Sequence, residues 1–84
     1  MQEREYGRQL SLHVAANIQA LRSERGWSLE ELAERAGMHR TSVGLIVRGQ
    51  RGITIAVASA LCRALGVPLS RLVGEAESAL RATK

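Results

Sequence analysis

Residues 28–49 read SLEELAERAGMHRTSVGLIVRG, and the arrangement of the whole chain follows from these 22 residues. It opens on Ser28, which is followed three residues later by Glu31, the capping-box pattern that begins a helix. Gly37 interrupts it, and glycine is the residue best able to take the left-handed conformation that ends a helix. Apolar or small residues recur at helical spacing on both sides of this glycine: Leu32, Ala33, Ala36, Met38, Val43 and Ile46. The stretch predicts two short helices joined by a very tight turn.

Helical periodicity continues on both sides and predicts five helices in all. Gly26, Gly49 and Gly66 mark the expected ends of the first, third and fourth helices. Thr54 is a plausible N-cap of the fourth helix, and Pro68 suits the first position of the fifth. Their apolar positions are Leu10, Val14, Ile18 and Leu21 in the first, Ala58, Leu61, Cys62 and Leu65 in the fourth, and Leu69, Leu72 and Val73 in the fifth.

The 84 residues allow one small all-α domain, a compact five-helix fold with a core at about 10–74. Residues 1–9 are an N-terminal extension, and residues 75–84 are a C-terminal helix or tail whose end, SALRATK, is expected to fray. The lone Cys62 excludes an internal disulfide and fits a reducing compartment. There is no apolar run of membrane-spanning length and no signal-peptide core, so a cytoplasmic location is expected, with no membrane partner.

The distribution of charge is more informative than the net charge of +4. All eight acids are Glu and none lies between residues 35 and 74, a segment that holds six arginines. Such a basic block predicts an anionic partner, most often nucleic acid. A solvated arginine face is the alternative that charge alone leaves open.

The two helices around Gly37 form a helix-turn-helix pattern. With them in place, the chain resembles the lambdoid phage repressor and Cro class of DNA-binding domains, often called the XRE family. The matching stretches are IQALRSERGWSLEELAERAGMHRTSVGLIVRG and ALGVPLSRL, within the span from Val14 to Val73. RTSVGLIVRGQRGITI is in addition similar to the controller proteins of restriction–modification systems.

The resemblance implies that the helix after His39 enters the major groove of double-stranded DNA and meets base edges with its first turn. Arg40 and Thr41 are then the principal base readers, with Ser42 beside them. Arg40 suits a bidentate contact to guanine, and Thr41 offers a methyl or a hydroxyl group. Capping of the helix start is the alternative role for Thr41 and Ser42.

Contacts to the DNA backbone are expected on both sides of these readers. His39 is the expected N-cap, where capping or a phosphate contact outweighs base reading. Arg48, Gln50 and Arg51 follow the helix and are expected to contact phosphates, although Arg51 could instead reach a base. In the same interpretation, the N-terminus of the fourth helix, at Thr54, faces a phosphate.

Three positions depart from the family pattern. Leu29 replaces a Gln that contacts the DNA backbone, and Val47 replaces a Glu that pairs with an Arg of the first helix. Arg22 is that Arg, and it is left to bond Glu31, a backbone carbonyl or a phosphate. The groove-facing Leu45 either contacts thymine methyl groups or, with Leu29 and Val47, serves a protein partner.

Two functions from different classes follow. The first is a sequence-specific transcriptional regulator that acts as a homodimer, with Leu69, Leu72 and Val73 of the fifth helix as its dimer interface. For Leu69 and Leu72, completion of the monomer core is the alternative. The second is a protein-interaction module on the same fold, of the antitoxin or anti-activator type. An enzyme is not expected, because no catalytic pairing or phosphate-cradling glycine loop is present, and no cofactor or metal is predicted.

Overall fold

The structure, a computed structural model, describes residues 2–82. Its five helices are α1 (Glu3–Glu24), α2 (Leu29–Ala36), α3 (Arg40–Val47), α4 (Ile55–Leu65) and α5 (Leu69–Ala82). The all-α class, the order of five helices and the helix-turn-helix formed by α2 and α3 are confirmed. Residues 1, 83 and 84, which belong to the predicted extension and tail, lie outside the described residues.

The turn between α2 and α3 is set by local chemistry at both ends of α2. The Ser28 hydroxyl accepts a hydrogen bond from the backbone N–H of Glu31 at 3.0 Å, which confirms the predicted N-cap. Gly37 has φ of 70°, and the N–H of Met38 next to it donates to the Ala33 carbonyl at 2.8 Å. A residue with a β-carbon would be strained at that φ, so the reversal depends on glycine. Only two residues then separate Gly37 from the start of α3.

The core is built from aliphatic side chains of all five helices, and no polar side chain among the described residues is buried with it. Half of α3 is buried, namely Val43, Gly44, Ile46 and Val47. Because α2 and α3 have only eight residues each, their stability rests on this packing more than on helix propensity. The largest side chains that are almost fully buried are Ile18, Leu32, Leu61, Leu72 and Val43.

The outer parts of α1 and α5 differ from the sequence prediction. The predicted extension is helical from Glu3 onward and continues into α1 without a break. The prediction of a fraying tail is wrong for residues 78–82, because α5 runs to Ala82 and buries Ala76 and Leu80. α1 and α5 pack along one another, and the Asn17 side chain donates to the Leu72 carbonyl at 3.5 Å.

Arginines around the α1–α2 turn have structural roles. The Arg22 guanidinium donates to the Trp27 carbonyl and to Gln19 Oε1, so the backbone-carbonyl alternative is the one observed. Arg35 lies 4.2 Å from the centre of the Trp27 ring and pairs with Glu31 at 3.4 Å. These contacts tie α1 to the start of α2 and take Arg35 out of the set of free cations.

Among residues 2–82, no single helix is long and apolar enough to cross a membrane. α4 and α5 meet the length and composition requirement only together, and the chain bends by 112° between them.

Candidate nucleic-acid interface

The start of α3 is presented to solvent because the helix is anchored by its opposite side. Val43 is completely buried and Ile46 is 3% exposed. Arg40 and Thr41, in the first turn, are exposed, and Ser42 is half-buried. The first turn of α3, which carries the predicted base readers, is therefore accessible.

The arginines on and after α3 are not neutralised by acidic side chains within residues 2–82. Within residues 2–82 the ion pairs join Arg8 to Glu5, Arg35 to Glu31 and Arg71 to Glu75. Arg40, Arg48 and Arg51 have no acidic partner in that part of the chain, and all three are exposed. The positive potential of the acid-free segment is consequently available to an external anion.

The loop after α3 is closed by its own hydrogen bonds. Gly49 has φ of 74°, and its N–H donates to the Ile46 carbonyl at 3.0 Å. The Leu45 carbonyl accepts from the N–H groups of Gln50 at 2.8 Å and Arg51 at 3.3 Å, completing the Schellman arrangement. Arg51 Nη1 also donates to Ser42 Oγ at 3.3 Å, so the loop and the first turn of α3 form one surface.

Arg48 lies back over α3 rather than extending into the loop. A β-carbon at Gly44 would stand only 3.1 Å from Arg48 Nη1 and 3.4 Å from Nη2. The Arg48 Nε in turn donates to Gln50 Oε1 at 3.4 Å. The Arg48 guanidinium therefore occupies the space that a side chain at position 44 would take. Positions 40, 44 and 48 lie on one face of the helix, because they are four residues apart.

The caps at the starts of α3 and α4 differ in part from the roles predicted from the sequence. His39 is the N-cap residue of α3 as predicted, but its side chain makes no capping hydrogen bond. Thr41 and Ser42 lie inside the helix rather than at its N-cap position, and Ser42 Oγ accepts from Arg51 instead. Thr54 caps α4, accepting from the N–H of Val57 at 3.1 Å.

Leu29, Leu45 and Val47 depart from the family pattern, and the apolar patch predicted from them is not formed as expected. Val47 is 7% exposed and belongs to the core, so its side chain is not available to a partner; this corrects the sequence interpretation. Leu29 is half-buried against the same core. Leu45 is half-buried on α3 and retains an accessible part on the side of the base readers.

The predicted dimer residues separate into one fully buried and two half-buried positions. Leu72 is 1% exposed and packs in the monomer core, which corrects its assignment to an interface. Leu69 and Val73 are half-buried and line an apolar cavity of about 120 Å³ with residues of α1 and α4. Ile55, on the rim of this cavity, is 80% exposed and was not singled out from the sequence. Its position at the first residue of α4, just after Thr54, was the only available signal.

Chemistry other than polar and ionic contact has little support in residues 2–82. No three His, Cys or Glu side chains come together there as a metal site would require. Cys62 is buried, and burial raises the pKa of its thiol, which disfavours the reactive thiolate.

A short helix with an exposed first turn, reached through a tight glycine turn and flanked by arginines without acidic partners in residues 2–82, defines a helix-turn-helix protein. The chain belongs to the XRE-type helix-turn-helix family: the family model described as Helix-turn-helix matches residues 18–72. Family membership confirms the predicted resemblance and implies DNA binding, and the family includes transcriptional regulators.

Individual relatives agree with this assignment. The HTH-type transcriptional regulator SutR of Escherichia coli (strain K12) is 33% identical over 70 residues, 83% of this chain and 39% of SutR. Control protein C.SmaI of Serratia marcescens is 33% identical over 60 residues, 71% of each chain, in agreement with the predicted similarity to controller proteins. The chain thus spans well under half of SutR but most of C.SmaI.

A solved structure supports the same fold. The crystal structure of the clp gene regulator ClgR from Corynebacterium glutamicum superposes with a TM-score of 0.77 and 26% sequence identity. The match covers 88% of this chain and 81% of ClgR, so the common fold includes almost the entire five-helix arrangement.

Proposed function

We propose that the chain is a sequence-specific, DNA-binding transcriptional regulator that binds an operator as a homodimer, with α3 in the major groove. The observation that carries this proposal is the exposed first turn of α3, where Arg40 has no acidic partner within residues 2–82. Arg40, Thr41, Ser42 and Leu45 are the proposed base-contacting residues. His39, Arg48, Gln50, Arg51 and Thr54 are the proposed backbone-contacting residues.

The dimensions of α3 support this arrangement. Eight residues make a helix of about 12 Å, comparable to the width of the major groove. Such a helix meets only a few base pairs, which is too little sequence for a unique site. A second copy about 34 Å away would present its α3 to the next turn of the groove on the same side of the DNA.

Selection from random duplex DNA, followed by fluorescence polarisation on the selected sequence and a scrambled one, tests the proposal. A preferred sequence should emerge, and its affinity should fall steeply between 50 and 200 mM salt, as expected for several phosphate contacts. Recovery of no preferred duplex would favour the protein-interaction module instead.

The proposed dimer surface is an apolar groove, namely the apolar cavity of about 120 Å³ that Leu69 and Val73 line with residues of α1 and α4. Ile55 stands beside it with 80% of its surface exposed, an uncommon state for a large aliphatic residue next to an apolar groove. Burying this side chain against a second copy would remove that area from water and contribute up to about 1.5–3 kcal/mol per protomer.

Ile55→Glu is expected to shift the protein from dimer to monomer, because a carboxylate would have to be desolvated in the groove. Light scattering after size-exclusion chromatography measures the change, and the affinity for a full operator should fall more than the affinity for a half-site. Ala56→Glu is the matched control, since Ala56 is the next residue of α4, is exposed and does not line the groove. Equal oligomeric states for the two variants would place the dimer interface elsewhere.

Gly44→Ala is expected to separate stability from DNA affinity. Replacing a helical glycine by alanine should raise the free energy of unfolding by up to about 1 kcal/mol. The added β-carbon would displace the Arg48 guanidinium and weaken DNA binding by about 0.2–1 kcal/mol, the size of one exposed ionic contact. Thermal unfolding and fluorescence polarisation give the two quantities.

Gly74→Ala is the control for this variant, because Gly74 is also inside a helix but has no atom within 4 Å of the position of a β-carbon. It should gain up to about 1 kcal/mol of stability with DNA affinity unchanged. If both variants bind DNA alike, Gly44 does not position Arg48.

The cytoplasmic location predicted from the sequence agrees with a DNA partner. No cofactor enters the proposal, since every proposed contact is made by side chains and backbone of the chain itself.

A further inference from the structure

We infer that a phosphate group binds in a cavity between the N-terminal half of α1 and the loop that follows α3. The cavity measures about 190 Å³. The residues that line it include Arg8, Ser11, Gln50, Arg51, Gly52 and Ile53. The described residues that line it include two arginines and no acid, so the site is complementary to an anion.

The two walls of the cavity touch one another at Gly49. A β-carbon at Gly49 would stand 2.7 Å from Leu12 Cδ2, so the loop and α1 are in close contact at this point. Arg8, Ser11 and Leu12 share one face of α1, since residues three and four apart lie above one another on a helix. The contact at Leu12 therefore brings that face, including Arg8, against the loop.

Neither arginine of the cavity is satisfied by the rest of the protein. The acidic partner of Arg8 within residues 2–82 is Glu5 at 4.0 Å, and the two side chains are 69% and 48% exposed, a pair of little energetic weight. Arg51 has no acidic partner in the same range and directs one nitrogen to Ser42 at 3.3 Å. Most of its N–H donors remain available.

The other polar groups of the lining are also available. Throughout residues 2–82, the backbone N–H groups of Gly52 and Ile53 and the hydroxyl of Ser11 have no hydrogen-bond partner. Two arginines and two residues with available backbone N–H groups line one space, and these donors suit a ligand with several anionic oxygens, as in phosphate sites.

Two sources of that phosphate share this chemistry. One is the DNA backbone, since Gln50 and Arg51 belong to the loop that is proposed to contact it; this source rests on the proposed function. The other is a small phosphate-bearing molecule, which would not require DNA. In both cases Arg8, from the segment outside the helix-turn-helix, becomes a ligand-binding residue.

The DNA source is tested by the salt dependence of duplex binding in Arg8→Ala. Loss of one phosphate contact is expected to weaken selected and scrambled duplexes alike by about three- to tenfold, and to reduce the slope of log K against log salt by about one. Arg4→Ala is the matched control, because Arg4 is exposed one turn earlier on α1 and does not line the cavity. It removes the same charge and should leave the slope close to that of the unmodified chain.

The small-molecule source is tested on the free protein by titration with inorganic phosphate and pyrophosphate at constant ionic strength. Saturable shifts of the Gly49, Gly52 and Ile53 amide NMR signals, abolished by Arg8→Ala and kept by Arg4→Ala, would establish it. Equal salt slopes for the two variants, together with no saturable shift, would overturn the inference. If the unmodified chain binds no duplex, the proposed function fails and the phosphate titration alone decides the site.

Discussion

Arg40→Ala is expected to abolish most of the sequence preference of the protein and to weaken operator binding. A bidentate arginine contact to guanine is worth about 1–3 kcal/mol of discrimination, so each half-site should lose roughly five- to 150-fold. The change in affinity should report the DNA contact alone. The Arg40 side chain is exposed in the first turn of α3 and makes no hydrogen bond within residues 2–82 that the substitution would break. Fluorescence polarisation on the operator, and on operators with each G·C pair replaced in turn, measures both quantities.

Arg48→Ala provides the contrast for that measurement. Arg48 is proposed to contact phosphate, so its removal should weaken all duplexes by a similar factor and leave the ratio between operator and scrambled DNA unchanged. If Arg40→Ala also left this ratio unchanged, Arg40 would be a backbone contact and the reading of bases would lie elsewhere on α3.

Leu61→Ala is expected to lower the free energy of unfolding by about 2–5 kcal/mol, the usual cost of a leucine truncation in a core. Leu61 is completely buried at the centre of α4, and the short helices α2 and α3 depend on the same core for their stability. For a domain of this size the loss is a large part of the total. Urea denaturation followed by circular dichroism gives the value directly.

Ile55→Ala is the control, because it also truncates a large aliphatic residue of α4, but one that is 80% exposed. Below the concentration at which the protein dimerises, it should change the free energy of unfolding by no more than about 0.5 kcal/mol. Equal losses in the two variants would contradict a core role for Leu61.

Local signals in the sequence were sufficient for the helix-turn-helix. Ser28 and Gly37 act through hydrogen bonds to residues three and four positions away, so their roles are visible in a short window of sequence. The same holds for Thr54, whose capping bond to Val57 is confirmed. Buried Val43 and Ile46 followed from helical spacing alone.

The ends of the chain were less predictable because their helical state depends on packing. Residues 3–9 are mostly exposed and have no apolar period, yet they extend a helix whose later turns are anchored in the core. In α5, Gly74 and Ser78 weaken the local helix signal, while Ala76 and Leu80 are buried. Such burial against another helix cannot be read from a short window.

The surroundings of the candidate site were likewise hidden. Val47 was interpreted from its family position as a surface residue, but α3 buries it along with three other residues. The placement of Arg48 over Gly44 depends on a side-chain conformation. Arg8 and Arg51 line the same cavity although they are 43 positions apart in the sequence. Composition and spacing of these groups are visible in the sequence, but their proximity is not. The roles of the site residues toward DNA stay predictions.

The double hydrogen bond to the Leu45 carbonyl has a consequence for the thermodynamics of recognition. Fixing the backbone of one residue costs about 1–2 kcal/mol in conformational entropy. Because Gln50 and Arg51 are already held by that carbonyl, this cost falls on folding and not on association. The arginine-bearing loop thus meets its ligand as a preorganised template, and binding should be less opposed by entropy than it would be for a flexible basic arm.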